Sequence, residues 1–136
     1  MKQNANEKLL YKDVSYLIQG GAFEVYKQFR NRYKEKVYLR AFAEYLKNKK
    51  LDITTEKQIP IYFQGKKVGT YIPDIVVNDR IFVELKCKPS ITKDDIKQFW
   101  YYLKGTDYKV GYLVNFGASQ GVQIIRRIYD EARSKN

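Results

Sequence analysis

Two short apolar runs, Ile75-Val76-Val77 and Ile81-Phe82-Val83, lie three residues apart in the middle of the chain. Runs of this kind, rich in β-branched residues and without polar alternation, read as strands buried on both faces. A sheet built on them needs helices on both sides. The same strands also carry charge: Asp74 directly precedes the first, and Glu84 and Lys86 lie at the end of the second. Buried carboxylates are costly unless they are paired, protonated or bound to a cation. Any fold of this chain must therefore satisfy two acids and a lysine inside its sheet.

The flanking segments supply the cover. A first helix is expected from about Asp13 to Phe29, on the helical spacing of Val14, Leu17, Ile18, Ala22, Val25 and Phe29. Gly20 and Gly21 interrupt it and would let another element pack closely. After a basic link, Arg30 to Lys34, a second helix is expected to about Lys49, with Val37, Tyr38, Ala41, Phe42, Tyr45 and Leu46 as its apolar stripe. Glu35 falls along the inward face of that helix, an unusual place for an acid. Ile53–Phe63, Val68–Val77 and Ile81–Cys87 read as strands, with 64–67 as a turn. A third helix is expected over Thr92–Lys104, with Thr92 as its N-cap, Asp94 and Asp95 in its first turn and Gly105 just past its end. Val110–Phe116 and Val122–Ile128 complete the strands. Residues 1–8 are expected to fray, and the tail from Tyr129 is polar, with a helix as one reading of it. With no repeat and no linker, residues 1–136 read as a single α/β domain. Its order is α-α-β-β-β-α-β-β, a mixed sheet of four to five strands flanked by helices.

Composition narrows the chemistry. Lys and Arg outnumber Asp and Glu 26 to 15, a formal charge of +11, which points to a polyanionic partner, nucleic acid first and an anionic membrane surface second. Histidine is absent, which excludes Ser-His-Asp and Cys-His nucleophile systems and histidine-based general bases. With one cysteine, Cys87, neither a disulfide within the chain nor a His/Cys zinc site can form. A reducing, cytoplasmic setting is expected, with no secretion signal and no apolar run of the ~20 residues that span a bilayer. Carboxylates, lysine, tyrosine and a hard metal ion are left to do any catalysis.

The spacing around the acids suits such an ion. A connection of three residues, Asn78 to Arg80, would set Asp74 directly opposite Glu84 with both carboxylates on one face, whereas a two-residue connection would put them on opposite faces. Two carboxylates so placed can hold Mg²⁺ or Mn²⁺, which neutralises a phosphate and yields hydroxide near neutral pH. Lys86 shares the face of Glu84 and can orient or activate the water. Glu35 could add a third oxygen ligand from the second helix, and Leu85 its backbone carbonyl. The competing account makes Asp74 a strand end at an exposed edge and Glu84–Lys86 a surface ion pair.

Pro73-Asp74, then Glu84-Leu85-Lys86 ten residues on, resembles the PD-(D/E)XK nuclease superfamily. Glu24-Val25-Tyr26, Glu35-Lys36-Val37-Tyr38, Pro60–Phe63, Gly65–Gly69, Gln98, Tyr102-Leu103 and Val110–Gly117 follow in an order similar to the GxxExxY branch of that superfamily, over roughly residues 13–128. Arg32 stands at the glycine that names the branch, and Tyr26 at its usual histidine. The resemblance implies a restriction-endonuclease-like core and a Mg²⁺- or Mn²⁺-dependent nuclease that hydrolyses phosphodiester bonds in DNA, with endonuclease or exonuclease action left open. It implies metal ligands Asp74 and Glu84, a catalytic Lys86, Glu35 as the helical acid and Gln98 as the polar residue of the third helix. By analogy with nucleases of this fold, it admits a homodimer.

Nucleic acid, DNA rather than RNA, would lie along Lys27, Arg30, Arg32, Lys34 and Lys36, with Lys66 and Lys67 in the later turn. Two other readings stay open on the sequence: a non-catalytic nucleic-acid-binding module on the same fold, and an interaction domain whose basic face meets an acidic protein.

Overall fold

The computed structural model describes the backbone of residues 2–129 and the side chains of residues 11–129. Two helices, α1 (Lys2–Phe29) and α2 (Glu35–Asn48), precede five strands: β1 (Ile53–Thr54), β2 (Ile59–Phe63), β3 (Lys66–Tyr71), β4 (Ile75–Val77) and β5 (Ile81–Lys86). Helix α3 (Lys93–Gly105) then leads to β6 (Val110–Asn115) and β7 (Gln123–Ile128). The main sheet has the order β1-β4-β5-β6-β7, with β5 and β6 parallel and the other neighbours antiparallel. Strands β2 and β3 form a separate two-stranded hairpin.

Both faces of the sheet are covered, as the doubly apolar strands require. Ile81, Val83 and Leu85 of β5 pack with Val14, Ile18, Ala22 and Val25 of α1 and Phe42 and Leu46 of α2. Phe82, on the other face, packs with Phe99 and Leu103 of α3 and with Ile59 and Tyr71 of the hairpin. Alternation along β5 therefore turns Glu84 and Lys86, like Phe82, toward the α3 and hairpin side.

Four sequence expectations change. First, α1 reaches back to Lys2 instead of starting at Asp13, so residues expected to fray are helical. It also runs through Gly20 and Gly21 without a break. The close approach foreseen there is real: a Cβ on Gly21 would lie 2.7 Å from Tyr45 Cδ1 and 2.9 Å from Phe42 Cε1 of α2. Packing against α2 overrides the glycines' weak helix propensity. Second, the strand expected over Ile53–Phe63 splits where Glu56 takes a left-handed φ of 59°, sending its halves into different sheets. Third, the strand expected over Val68–Val77 breaks at Ile72-Pro73, since proline cannot donate to a ladder. Fourth, Gly105 closes α3 and does not follow it. Thr92 caps that helix as expected: its side chain accepts from the Asp95 amide, and the Asp95 carboxylate accepts from the Thr92 amide. The tail beyond Tyr129 lies outside the described residues.

Candidate active site

The connection between β4 and β5 is the three-residue one. Asn78 and Asp79 both adopt φ of 52°, a left-handed conformation that Asn and Asp tolerate best after glycine. The register Val77↔Ile81, Val76↔Phe82, Ile75↔Val83 stops one residue short of Asp74, which sits in a bend just before β4 with its carboxylate beside Glu84 of β5. Asp74 Oδ2 accepts a hydrogen bond of 2.7 Å from the Leu85 amide, which locks the carboxylate to β5. Both acids are half-buried. Burial first, and then the charge and hydrogen bond of Asp74, push the Glu84 carboxyl up to about 8, with Lys86 opposing the rise. A carboxyl raised by burial and a neighbouring acid is one whose charged form a divalent cation would stabilise. Two half-buried oxygen-donor side chains suit a hard ion, which binds one or two carboxylates and keeps waters.

Glu35 sits differently from the expectation. It is the first residue of α2 and is exposed, with no place along a buried stripe. A side chain in a helix's first turn points back past its N-terminus, where the macrodipole favours an acid. Its pKa is raised, by desolvation first and then by the charge of Asp74, while Lys86 lowers it. It therefore shares the field of the pair. Among the described residues, however, no three Asp, Glu, Cys or His side chains converge closely enough to hold an ion by themselves.

Two residues near the pair were not singled out from the sequence. Tyr71, 4% exposed, ends β3 stacked on Tyr102 at 3.9 Å and edge-on to Phe82 at 5.4 Å. Its hydroxyl lies against the Glu84 carboxyl, and burial and that negative charge raise its pKa. It makes no hydrogen bond of full geometry, so a polar atom is buried at the acid pair unsatisfied. Asn115, fully buried, donates to the Lys88 carbonyl (2.8 Å) and Gln123 Oε1 (2.8 Å) and accepts from the amides of Lys88 (3.0 Å) and Gly117 (3.1 Å). It ties the end of β6 to the chain leaving β5. The signal for Asn115 was available, since it is the one amide side chain in the run Val110–Phe116. Tyr71 reads like any tyrosine of a strand.

Gly117 belongs to the same junction. A Cβ there would fall 2.2 Å from the Lys88 nitrogen and 2.5 Å from its carbonyl oxygen, and backbone cannot step aside as a side chain can. Gly117→Ala is expected to cost about 3 kcal/mol, the upper end for overpacking, and to lower Tm by roughly 10 °C. A thermal melt matching wild type would show that the junction is looser than drawn.

A family model for the PD-(D/E)XK nuclease superfamily matches residues 12–128. The chain belongs to the PD-(D/E)XK nuclease superfamily. Among solved structures, the crystal structure of an alkaline exonuclease (LHK-Exo) from Laribacter hongkongensis is similar, with a TM-score of 0.50 and 18% identity over 74% of this chain and 57% of that one. At that identity the likeness is one of fold, and this chain spans a little over half the length of that protein. No curated protein matches the sequence. The mixed five-stranded sheet with helices on both faces is the restriction-endonuclease-like fold of this superfamily.

The basic link of this superfamily member lies at the strand ends that carry the acids. Cys87 Sγ–H donates to the Tyr33 carbonyl (3.4 Å), and Asn31 Nδ2 donates to the Gly117 carbonyl (3.3 Å), so 31–33 rests on the ends of β5 and β6. The Tyr38 hydroxyl donates to the Arg30 carbonyl and accepts from the Tyr33 amide, fixing the turn from below. Lys27, Arg30, Arg32, Lys34 and Lys36 are all exposed there. Lys66 and Lys67 are also exposed, but on the separate hairpin. Gln98 is exposed on α3, and among the described residues no hydrogen bond ties it to Asp74 or Glu84. A cleft of about 640 Å³ opens elsewhere, beside the Asn78–Arg80 turn, lined by Tyr11, Lys57, Asp79, Arg80 and Tyr108. It lies at the opposite end of β4 and β5 from the acids, and its Asp79 is paired with Lys57. No helix among the described residues is long and apolar enough to cross a membrane.

Proposed function

We propose that this protein is a divalent-metal-dependent nuclease that hydrolyses phosphodiester bonds in DNA, acting through Asp74, Glu84 and Lys86. The observation that carries the reading is the Asp74–Glu84 pair, two half-buried acids side by side with Lys86 on the same face of β5. Asp74, Glu84 and the Leu85 carbonyl would hold Mg²⁺ or Mn²⁺. When bound, such an ion supplies Lewis-acid neutralisation of the phosphate and lowers the pKa of water. The Lys86 ammonium donates hydrogen bonds to the phosphate oxygen or the attacking water and steadies charge as it builds. Glu35 is assigned an outer place, accepting a hydrogen bond from water, because it does not converge with the pair into a three-acid cluster. Gln98 is assigned a substrate contact from α3. The cations of the 30–36 link and of the hairpin take the backbone phosphates, a sequence-independent role. The order of motifs supports a kinship with the GxxExxY-type proteins, and the single cysteine suits a reducing cytoplasm.

Tyr71 is a positioning residue in this reading, its hydroxyl poised to donate to Glu84. Tyr71→Phe keeps the ring contacts and removes an unsatisfied hydroxyl, so the fold is expected to hold. Mn²⁺ affinity, read by calorimetry, is expected to fall about tenfold, the size seen when groups that orient metal ligands are lost. Unchanged affinity would leave Tyr71 as packing alone.

The function is tested by incubating the protein with labelled single-stranded, duplex, flapped and four-way-junction DNA, and with the matching RNAs, in EDTA, Mg²⁺ or Mn²⁺. Products that require metal support the nuclease, and the better-cut polymer decides DNA against RNA. Intact nucleic acid in every lane, with salt-sensitive binding retained, would move the protein to the non-catalytic binding module.

A further inference from the structure

The β2–β3 hairpin is anchored at one end and open at the other. Ile59 and Tyr71, a cross-strand pair, are buried at its base. Beyond a register shift at Ile61/Tyr62, the chain leaves the core: Tyr62 is 58% exposed, Phe63 63% and Val68 63%. Scattered apolar exposure is ordinary, but here three large side chains gather on one hairpin tip. The tip is also tightly closed. Gln64 (φ 50°) and Gly65 (φ 80°) form the tight two-residue turn whose twist matches the strands it joins.

Register pairs each aromatic with a cation. Tyr62 lies opposite Lys67 and Phe63 opposite Lys66, so each face of the tip presents one ring and one ammonium. From Lys57 to Pro73 the sequence contains no Asp or Glu. A second copy of this chain would bring the same lysines to the same place, and a neutral protein partner would leave them unpaired. A polyanion with accessible flat rings satisfies both halves of each pair. Single-stranded nucleic acid is that polymer, since its bases are free to leave the stack, whereas a duplex interior hides their faces. The base of the hairpin also meets the strand that carries Glu84, with Tyr71 edge-on to Phe82 of β5 at 5.4 Å. Strand β3 runs from the tip to Tyr71, whose hydroxyl lies against Glu84, a path of roughly 17 Å at ~3.3 Å per residue.

We propose that the tip of the β2–β3 hairpin docks single-stranded nucleic acid, stacking unpaired bases on Tyr62 and Phe63 while Lys66 and Lys67 take the adjoining phosphates. The tip thereby selects unpaired ends or flaps and leads them toward Asp74 and Glu84. This rests on the nuclease reading and narrows its substrate.

The test is fluorescence anisotropy in EDTA with a labelled single strand and a blunt duplex, on the full chain, its Tyr62→Ala/Phe63→Ala variant and its Lys66→Ala/Lys67→Ala variant. All four side chains are exposed, and melting curves verify that the variants fold. The aromatic variant is expected to lose about 10- to 100-fold in single-strand affinity, while duplex affinity stays within about twofold. The lysine variant is expected to weaken both and to reduce the salt dependence of both. Equal loss on both nucleic acids, or no loss on the single strand, overturns the stacking role and leaves the nuclease reading standing. A wild-type dimer that the aromatic variant turns into monomer, by light scattering, overturns it in favour of a self-contact. A wild-type protein that binds neither nucleic acid overturns it together with the nuclease reading.

Discussion

Asp74→Asn is expected to leave a folded protein that binds nucleic acid and no longer cuts it. The amide oxygen can still accept from the Leu85 amide, which Asp74 Oδ2 meets at 2.7 Å, so β4 stays fastened to β5. The lost negative charge removes one of the two carboxylates proposed to hold the cation. Cleavage is expected to fall by about 10³-fold or more, which corresponds to about 4 kcal/mol of transition-state stabilisation, the several kcal/mol that a Lewis acid contributes. Binding measured in EDTA is expected to stay the same or tighten, because a charge that repels phosphate is gone. Single-turnover cleavage and anisotropy on one preparation separate the two effects. Cleavage within a few fold of wild type would remove Asp74 from the chemistry and would reopen the account of an ordinary strand-end acid.

The second large effect is on stability, and its sign is set by Glu84. Its ordinary value of 4.5 rises to about 8 in the folded chain, through burial first and the neighbouring Asp74 second. The folded state thus keeps a proton that the unfolded chain releases. The stabilisation is complete below about pH 4.5 and is lost as pH climbs toward about 8. Glu35, also raised, acts in the same direction. Asp95, lowered to about 2 chiefly by its hydrogen bond from Lys88, adds stability in the opposite sense, but its window lies below this one. Metal-free protein is therefore expected to lose a few kcal/mol between pH 5 and pH 8, with Glu84 by itself contributing no more than about 1.4 kcal/mol per pH unit. Mn²⁺ should restore it, with a larger rise in Tm at pH 8 than at pH 5, because cation and proton compete for the same oxygens. Urea melts across pH, with and without Mn²⁺, measure this directly. In Asp74→Asn the slope should flatten, since a cause of the raised Glu84 value is gone. A flat profile in the wild-type protein would mean that the two carboxyls do not share a recess.

How much of this was legible beforehand differs from residue to residue. The helices α2 and α3, strands β5 to β7 and the N-cap Thr92 were readable because each rests on local rules of period, propensity and capping. The closeness of Asp74 and Glu84 was readable as a condition: it needs the three-residue turn, whose left-handed conformations Asn78 and Asp79 can take, whereas the bend that holds Asp74 just outside β4 was not readable. The division of Ile53–Phe63 between two sheets was not readable, since one positive φ at Glu56 has no strong sequence signature. The exposure of Glu35 depended on how α2 enters the fold, which helical spacing alone does not state.

The sequence by itself determined that two acids and a lysine would interrupt a doubly buried sheet, that no histidine could assist them, and that the surface around them would be strongly positive. Tertiary structure alone decided what surrounds them. It brought the Tyr71 hydroxyl against Glu84 from a hairpin outside the main sheet, set residues 31–33 of the basic link on the ends of β5 and β6, and turned Tyr62 and Phe63 outward. The reason is range. Strand alternation and turn length act over a few residues and fix which side chains share a face, whereas the packing of one element on another depends on contacts between segments far apart in the chain, which no local pattern encodes.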